Sequence, residues 1–446
     1  MAAHDSRAQG LVQVDRVQKR FLVHRDAYRN REVYERELEV VFGRSWLYLG
    51  HESELRKAGD FVARRVANRD VLFTRDRKDK YHAFYNSCTH RGAPVCREKS
   101  GNKKSHVCPY HGWVFNAEGA LVNQGLEGGY PADFNANGRY NLHSVARLEH
   151  YRGFYFVNFN PRAIPLADFL AGAKEFIDML ADQSEAGLEI VGVHEYAVNG
   201  NYKYMCENSY DGYHAPFTHP TYFNFLGDML AKGADAAETA KFDNLLKNYE
   251  SAGVGWGLGK GHALFEALVP NGRPVAYWTP AWGPEAKQQI ERIRAGLEKR
   301  FGMDRAKRMA ELHRNMVIFP NLIINDHVAT TIRLVQPDGV GRMRVTAWAM
   351  GPKDESPLLR KIRLDNFLTF LGPAGFATPD DNEALEICQS GIEHTPIEWT
   401  DLSRRFAETA DGDPLLASGG WAGEQVQRAY WTQWDRVMSG FDTLEA

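Results

Sequence analysis

The sequence predicts an α+β protein in which a small all-β domain is set within a larger mixed domain. Three observations carry this. Short strand-like runs separated by turn-formers crowd residues 45–160. After Pro165 the pattern changes to helical spacing mixed with strict alternation. The length of 446 residues is that of two or three domains, and the single change of texture reduces this to two. The expected boundaries are an N-terminal segment at 1–44 packing on the larger domain, the β-rich domain at 45–160 and the larger domain at 161–446.

Residues 31–46 carry Val33, Leu38, Val41 and Phe42 on one helical stripe. Strand-like runs then follow at Asp60–Ala63, Val71–Thr74 and Tyr81–Tyr85, divided by Asn68-Arg69-Asp70 and the charged Asp76–Lys80. Further runs lie at Trp113–Phe115 and Gly153–Val157. Residues 166–182 and 287–314 have helical spacing, and 328–350 alternate, with a turn near Asp338-Gly339. Ser356 with Pro357 in the first turn starts a helix, with Leu358, Ile362 and Phe367 inward and Gly372-Pro373 at its end. A second helix starts at Thr378-Pro379 and stops near Gly391. Gly257–Gly261 is Gly-rich but lacks a strand–turn–helix context, and reads as a mobile pocket loop.

Composition excludes several classes. A net charge of −3 gives no basic surface for nucleic acid. Apolar runs such as Met316–Phe319 fall far short of the roughly 18 residues of a membrane span. Residues 1–10 have no apolar signal-peptide core, so a cytoplasmic location is expected. Five cysteines are too few and too scattered for a disulfide framework, which turns attention to metal ligation alongside the 16 histidines.

Cys88-Thr89-His90 and Cys108-Pro109-Tyr110-His111 form C-x-H, seventeen residues, then C-x-x-H. Two Cys and two His suit one tetrahedral zinc. They equally suit a [2Fe–2S] centre with two Cys on one iron and two His on the other. Gly92 and Gly112 allow close backbone approach. Cys96, His82 and His106 are out of register and read as ordinary loop, core or strand residues. The basic stretch Arg97–Lys104 reads as a solvated loop rather than a ferredoxin dock. The paired motifs, with Gly112-Trp113 after the second, resemble the Rieske domain of the large (α) subunit of aromatic-ring-hydroxylating oxygenases. That resemblance implies a [2Fe–2S] cluster on Cys88, His90, Cys108 and His111, and a helix-grip (Bet v 1-like) antiparallel-sheet catalytic domain around the Rieske domain.

The second constellation is Asp211-Gly212-Tyr213-His214-Ala215-Pro216-Phe217-Thr218-His219. Asp211 and His214 are at neighbouring positions of a helix face. His214 and His219 are five apart and converge only if the helix is distorted, which Gly212 and Pro216 permit. Two histidines and a carboxylate make the facial triad of non-haem Fe(II) oxygenases. The resemblance implies His214 and His219 as iron ligands. It gives Asp211 a different role, as a bridge to the cluster ligand His111 of the partner subunit. The family's carboxylate ligand follows a Gly-Pro-Ala-Gly-Phe segment, here Gly372–Phe376, which points to Asp381, with Asp380 the alternative if the register shifts. Both acids also suit the first turn of a helix. Relatives often carry Glu where Thr378 or Pro379 stands, and Asn where Glu207 stands.

The implied activity is that of the terminal oxygenase of a multicomponent dioxygenase. Electrons from NAD(P)H reach it through a separate reductase, with or without a ferredoxin, since the chain has no dinucleotide loop or plant-type ferredoxin motif. The family assembles as head-to-tail homotrimers, often with a small β subunit (α3β3). Met205, Asn208, Ala215, Leu322, Leu371, Phe376 and Ala377 are candidates to line the pocket. Arg333 could pair with a substrate carboxylate, but its strand context, and a similar Arg in relatives that oxidise uncharged arenes, favour a structural role. The overall texture is similar to members acting on monocyclic aromatic acids. A Rieske monooxygenase (hydroxylase or O-demethylase) is the alternative. An electron-transfer-only Rieske protein would have no use for residues 165–446.

Overall fold

The computed structural model describes residues 10–126, 128–233, 236–269, 272–273, 275, 278–409 and 411–446. The first nine residues of the expected N-terminal segment lie outside them. Two compact units emerge. One comprises Met1–Val41 and Ala167–Thr443, the other Phe42–Leu166 and Leu444–Ala446.

Among its described residues the smaller unit is built on three antiparallel sheets. The first orders Tyr81–Tyr85, Arg69–Arg75, Asp60–Val66 and Ser100–Asn102. The second orders Leu121–Asn123, Val114–Asn116 and Ser105–Val107, and the third Arg147–Tyr151, Phe154–Asn158 and Leu47–His51. Leu72, Phe84, Trp113 and Phe115 form one buried cluster with Cys88 and Cys108. Both cysteines are therefore core residues on loops that leave the sheets.

The larger unit centres on an eight-stranded antiparallel sheet. Its order is Leu188–Val198, Met343–Pro352, Thr330–Pro337, Leu322–Asp326, Leu312–Ile318, Ala263–Leu268, Gly253–Gly257 and Ser418–Gly420. Register places Phe265 opposite Asn315, Asn315 opposite Asn325, and Asn325 opposite Thr331. Directly opposed residues share a face, and Arg333, two residues beyond Thr331, shares it too. One sheet face thus carries a polar row. The helix Gln425–Met438 covers the strands Gly253–Gly257 and Ala263–Leu268 with a nearly wholly buried surface that includes Tyr430, Trp431 and Trp434.

Residues 10–41 are tied into this unit twice. The strands Val12–Asp15 and Arg20–His24 form a sheet with Trp399–Asp401. Deeper in, Lys203 Nζ donates to Glu37 Oε1 at 2.6 Å, with both side chains almost fully buried, and Trp434 Nε1 donates to the same oxygen at 2.6 Å. Burial raises the Glu37 carboxyl and lowers the Lys203 amine, and the contact between them opposes both shifts. Nearby, Tyr28 Oη and Trp431 Nε1 donate to Glu207 at 2.7 and 3.1 Å. Glu207 is therefore a half-buried acid held by structural contacts.

Several local expectations change. The 287–314 stretch is two helices, Gly283–Phe301 and Met303–Glu311, and its last residues begin the strand Leu312–Ile318. The 166–182 stretch is broken at Ala171, whose φ is +44°, into Leu166–Leu170 and Ala173–Ala181. The helix capped by Ser356 ends at Thr369, before Gly372, and buries Leu359 more deeply than Leu358. The next helix runs through Gly391 to Glu393. Gly257–Gly261 is the end and turn of the hairpin joining Gly253–Gly257 to Ala263–Leu268, where the backbone of Leu258 bonds His262 and Gly172. A β-hairpin turn needs the same glycines as a loop, so composition alone did not separate the two.

Breaking a buried ion pair strands one charge, at a cost of about 3–5 kcal/mol. Lys203→Met should lower stability by that order in thermal melts, and Glu37→Met added to it should recover much of the loss. Burial raises Glu207 to about 7 against the hydrogen bonds of Tyr28 and Trp431. Unfolded, a glutamate titrates near 4.3. Between these values the folded chain holds the extra proton, so stability falls as pH rises from about 4.5 to 7. Glu207→Gln should flatten that fall in melting temperature, and parallel curves for the two proteins would show Glu207 to be ionised throughout.

Candidate metal centres and substrate pocket

The two Cys/His loops repeat one turn. Gly92 N donates to Cys88 O and Cys88 N to Ala93 O, while Gly112 N donates to Cys108 O and Cys108 N to Trp113 O. Gly92 and Gly112 have φ of +79° and +70°, which only glycine adopts readily. The ring of His90 stacks on Trp113 at 4.7 Å and lies 4.6 Å from His111. The thiols are buried and the imidazoles are nearer the surface. Burial, reinforced by Cys108, pushes the Cys88 thiol up against the pull of the His90 backbone N–H. His90 Nδ1 is buried and has no hydrogen-bond partner.

These features fit a cluster with separate cysteine and histidine irons. Four ligands of one zinc, at bonds of about 2.0–2.3 Å, would have their atoms within roughly 4 Å of each other. Among the described residues the only metal-ligating trio whose atoms gather within 4.8 Å is His214, His219 and Asp381. The single-zinc reading therefore fits this site poorly. Cys96 is a core thiol against Glu98, His82 pairs with Asp76 at 2.8 Å, and buried His106 packs edge-on against Phe61.

The second site is made by a break in helical structure. The helix Tyr202–Asn208 stops, Asp211 accepts from the backbone of Tyr213 in a turn, and helix resumes for Ala215–Thr218 with Pro216 in its first turn. His219, at φ −113° and ψ 42°, joins this turn to the helix beginning at Pro220. Asp211 and His214 are thus neighbours through a turn, not on a helix face. Asp381 comes from the first turn of Thr378–Glu393.

The three ligand atoms form a near-equilateral triangle. His214 Nε2 and His219 Nε2 are 3.3 Å apart, and Asp381 Oδ1 is 3.3 and 3.2 Å from them. Ligands about 2.1 Å from a common metal at right angles would be about 3.0 Å apart. Behind the triangle, Asp211 Oδ2 is 3.4 Å from His214 Nδ1 and Asp380 Oδ2 is 3.4 Å from His219 Nδ1. Each imidazole thus has a carboxylate behind it and turns Nε2 inward, with a hydrogen bond between His219 and Asp380 and a charge contact alone between His214 and Asp211. Asn208 Nδ2 lies 3.0 Å from Asp381 Oδ1 and 3.2 Å from His214 Nε2. Burial disfavours a charged His214, but Asp211 and Asp381 outweigh it and raise the imidazole to about 10. Burial likewise opposes ionisation of Asp381, and the two imidazoles overcome it, holding the carboxyl well below the usual range.

The triangle opens into a pocket walled by Tyr222, Phe223, Leu226, Leu245, Phe265 and Phe370. Asn208, Ala215, Leu371 and Ala377 also line it. Met205, Leu322 and Phe376 do not. Met205 lies beneath Arg333, Leu322 belongs to the sheet core, and Phe376 stacks on Phe225 behind the wall. Sequence reasoning missed Asn315 and Asn325, which the sheet contributes, and His327 in the bend after Leu322–Asp326. Period-2 alternation in 312–326 was the available signal.

Comparison with known proteins agrees with this geometry. The Rieske [2Fe-2S] domain matches residues 45–128, and the ring hydroxylating alpha subunit (catalytic domain) matches 186–440. The chain is 33% identical over 396 residues to the 2-halobenzoate 1,2-dioxygenase large subunit of Burkholderia cepacia, covering 88% of this chain and 82% of that one. It is 33% identical over 405 residues to the toluate 1,2-dioxygenase subunit alpha of Pseudomonas putida, covering 90% and 85%. A solved naphthalene 1,2-dioxygenase mutant bound to phenanthrene superposes with a TM-score of 0.79 at 26% identity, covering 98% and 95%. The fold and motifs define a Rieske non-haem iron oxygenase. The chain belongs to the ring-hydroxylating alpha-subunit family, as a dioxygenase large subunit that uses a [2Fe–2S] cluster, a mononuclear iron and O2.

Asp381→Ala should abolish mononuclear iron in metal analysis while sparing the Rieske EPR signal. Asp380→Ala, which removes only the carboxylate behind His219, should lower iron affinity about 10–100-fold. Equal iron loss from both variants would overturn the distinction.

Proposed function

We propose that this chain is the terminal oxygenase subunit that hydroxylates a monocyclic aromatic acid. The carrying observation is the His214–His219–Asp381 triangle on the wall of an apolar pocket. The relatives' names, 2-halobenzoate and toluate dioxygenases, support an aromatic acid. Cys88, His90, Cys108 and His111 hold the cluster, and His214, His219 and Asp381 hold the iron. When bound, the cluster supplies single electrons and the mononuclear iron supplies O2 activation at positions left open by a three-residue ligand set.

The chain's own residues do the rest. The aromatic wall excludes water and holds a flat ring edge-on to the triangle. Asn208 fixes the orientation of Asp381, and Asp211 and Asp380 hold each imidazole with Nε2 inward. Asp211 is partly exposed, and in this reading its carboxylate also receives a hydrogen bond from His111 of the partner subunit within a head-to-tail trimer. Electrons come from a separate reductase, with or without a ferredoxin, and a small β subunit completes the assembly. The relatives are named large and alpha subunits, which supports further components. No helix among the described residues is long and apolar enough to cross a membrane, and the reading places the chain in the cytoplasm with its donors.

Purified protein should be red-brown, with Rieske-type absorption and EPR spectra. A colourless protein with one zinc per chain would refute the scheme. Asp211→Ala should retain both metals but lose coupled turnover by at least about 100-fold, and normal turnover would remove Asp211 from the electron route. Product identification across aromatic acids and neutral arenes, with a surrogate reductase, distinguishes a cis-dihydrodiol from a monohydroxylated or demethylated product.

A further inference from the structure

The turn that carries Asp211 and His214 is gripped by a residue distant in sequence. Trp421 directly follows the edge strand Ser418–Gly420 and is buried. Its indole stands in a slot between two glycine backbones. A Cβ on Gly212 would lie 2.8 Å from both the indole Cδ2 and the Trp421 carbonyl oxygen, and one on Gly253 would lie 3.1 Å from Cδ2. The φ of Gly212 is not positive. Its missing side chain therefore serves close approach and not an unusual backbone angle. Backbone bonds complete the grip. Gly212 N donates to Trp421 O at 3.3 Å, and Trp421 N donates to Gly253 O at 3.1 Å. The next residue of the turn, Tyr213, is held by the same segment. Arg404 lies over its ring at 4.1 Å and donates from Nε to Ala422 O at 2.7 Å. Within the turn so held, Asp211 Oδ1 accepts from Tyr213 N at 2.7 Å and Asp211 Oδ2 lies 3.4 Å from His214 Nδ1.

The same indole is part of the pocket wall. It lines the cavity with Tyr249 and Phe265, whose ring centroids lie 4.6 and 5.4 Å from its own, and its Nε1 donates to Tyr249 O at 2.5 Å. A close-packed interior passes strain on when a ring is displaced. Here the ring's neighbours Gly212 and Gly253 present backbone, with no side chain that could change rotamer and absorb the displacement. We infer that Trp421 is a positioning residue: it holds the Asp211–His214 turn opposite Asp381 and transmits the filling of the pocket to that turn. This rests on the reading of the cavity as the substrate site, and adds a contact route from a bound arene to an iron ligand.

The test uses the metal-loaded enzyme, with benzoate and neutral toluene as ligands. The ferrous site is read by EPR of its nitric oxide complex while the cluster is oxidised and silent, and ligand binding is read by calorimetry. In the wild type a bound ligand should shift the spectrum. Trp421→Leu should still take up iron and bind the ligand about tenfold more weakly, the scale of one lost aromatic contact, but its spectrum should no longer respond. Trp421→Phe keeps a smaller ring in the slot without the bond to Tyr249, and its response should fall between the two. It decides the matter if Trp421→Leu does not fold, an undiminished response overturning the inference. Steady-state kinetics give a second readout. A residue that only walls the pocket would raise KM at unchanged kcat, whereas Trp421→Leu should also lower kcat. A full spectral response in ligand-bound Trp421→Leu, an effect on KM alone, or a wild-type spectrum indifferent to bound ligand overturns the inference and leaves the pocket reading intact. Failure of both ligands to bind the iron-loaded wild type defeats the pocket reading itself, and the inference with it.

Discussion

Three ligand atoms with inward lone pairs, all within 3.3 Å of one another, impose the constraint around which the catalytic unit is organised. Without a cation between them, such atoms repel unless a proton intervenes, and the raised His214 with a lowered Asp381 describes that proton-sharing state. Metal binding must displace the proton, so iron affinity and the stability of this region are linked. The scaffold must also hold the atoms in place before metal arrives. Asp381 is fixed by the N-terminal turn of its helix and by Asn208. The histidines are fixed by a backbone that leaves helical geometry between residues 209 and 214 and again at His219. A continuous helix would point residues five apart in different directions, so the break is what lets both rings face one centre.

The broken helical segment needs a firm base, and the surrounding packing supplies it. Tyr202 and Lys203, at the start of the helix leading into the site, meet Glu37. Glu207, at its end, is held by Tyr28 and Trp431. Both contacts reach outside the catalytic sheet, each to the N-terminal segment and to the final helix. The N-terminal segment thus secures the base of a site to which it contributes no ligand.

Legibility in the sequence followed range. The Cys/His loops were readable because each motif is local, with its glycine at the turn that needs positive φ. The Asp211–His219 motif was readable for the same reason, although its turn was mistaken for a helix face. Asp381 lies more than 160 residues from the histidines and was reachable only through resemblance to a family. The pocket was less legible. Met205, Leu322 and Phe376 are apolar residues near the site that face the core, and composition does not tell a wall from the layer behind it. Asn315, Asn325 and Arg333 come from successive strands, and their shared face exists only once register is set. The start of the strand Leu312–Ile318 was hidden by helical spacing that ran on to residue 314, so the strand that carries Asn315 was not anticipated.

This division of chemistry between elements bears on how specificity can change. The metal triangle is set by loops and helix termini, whereas the polar row is set by sheet register, which is fixed wherever both faces are packed. Replacing one side chain in the row alters what the pocket recognises without moving a ligand, because alternate residues of a strand project from one face at a fixed spacing.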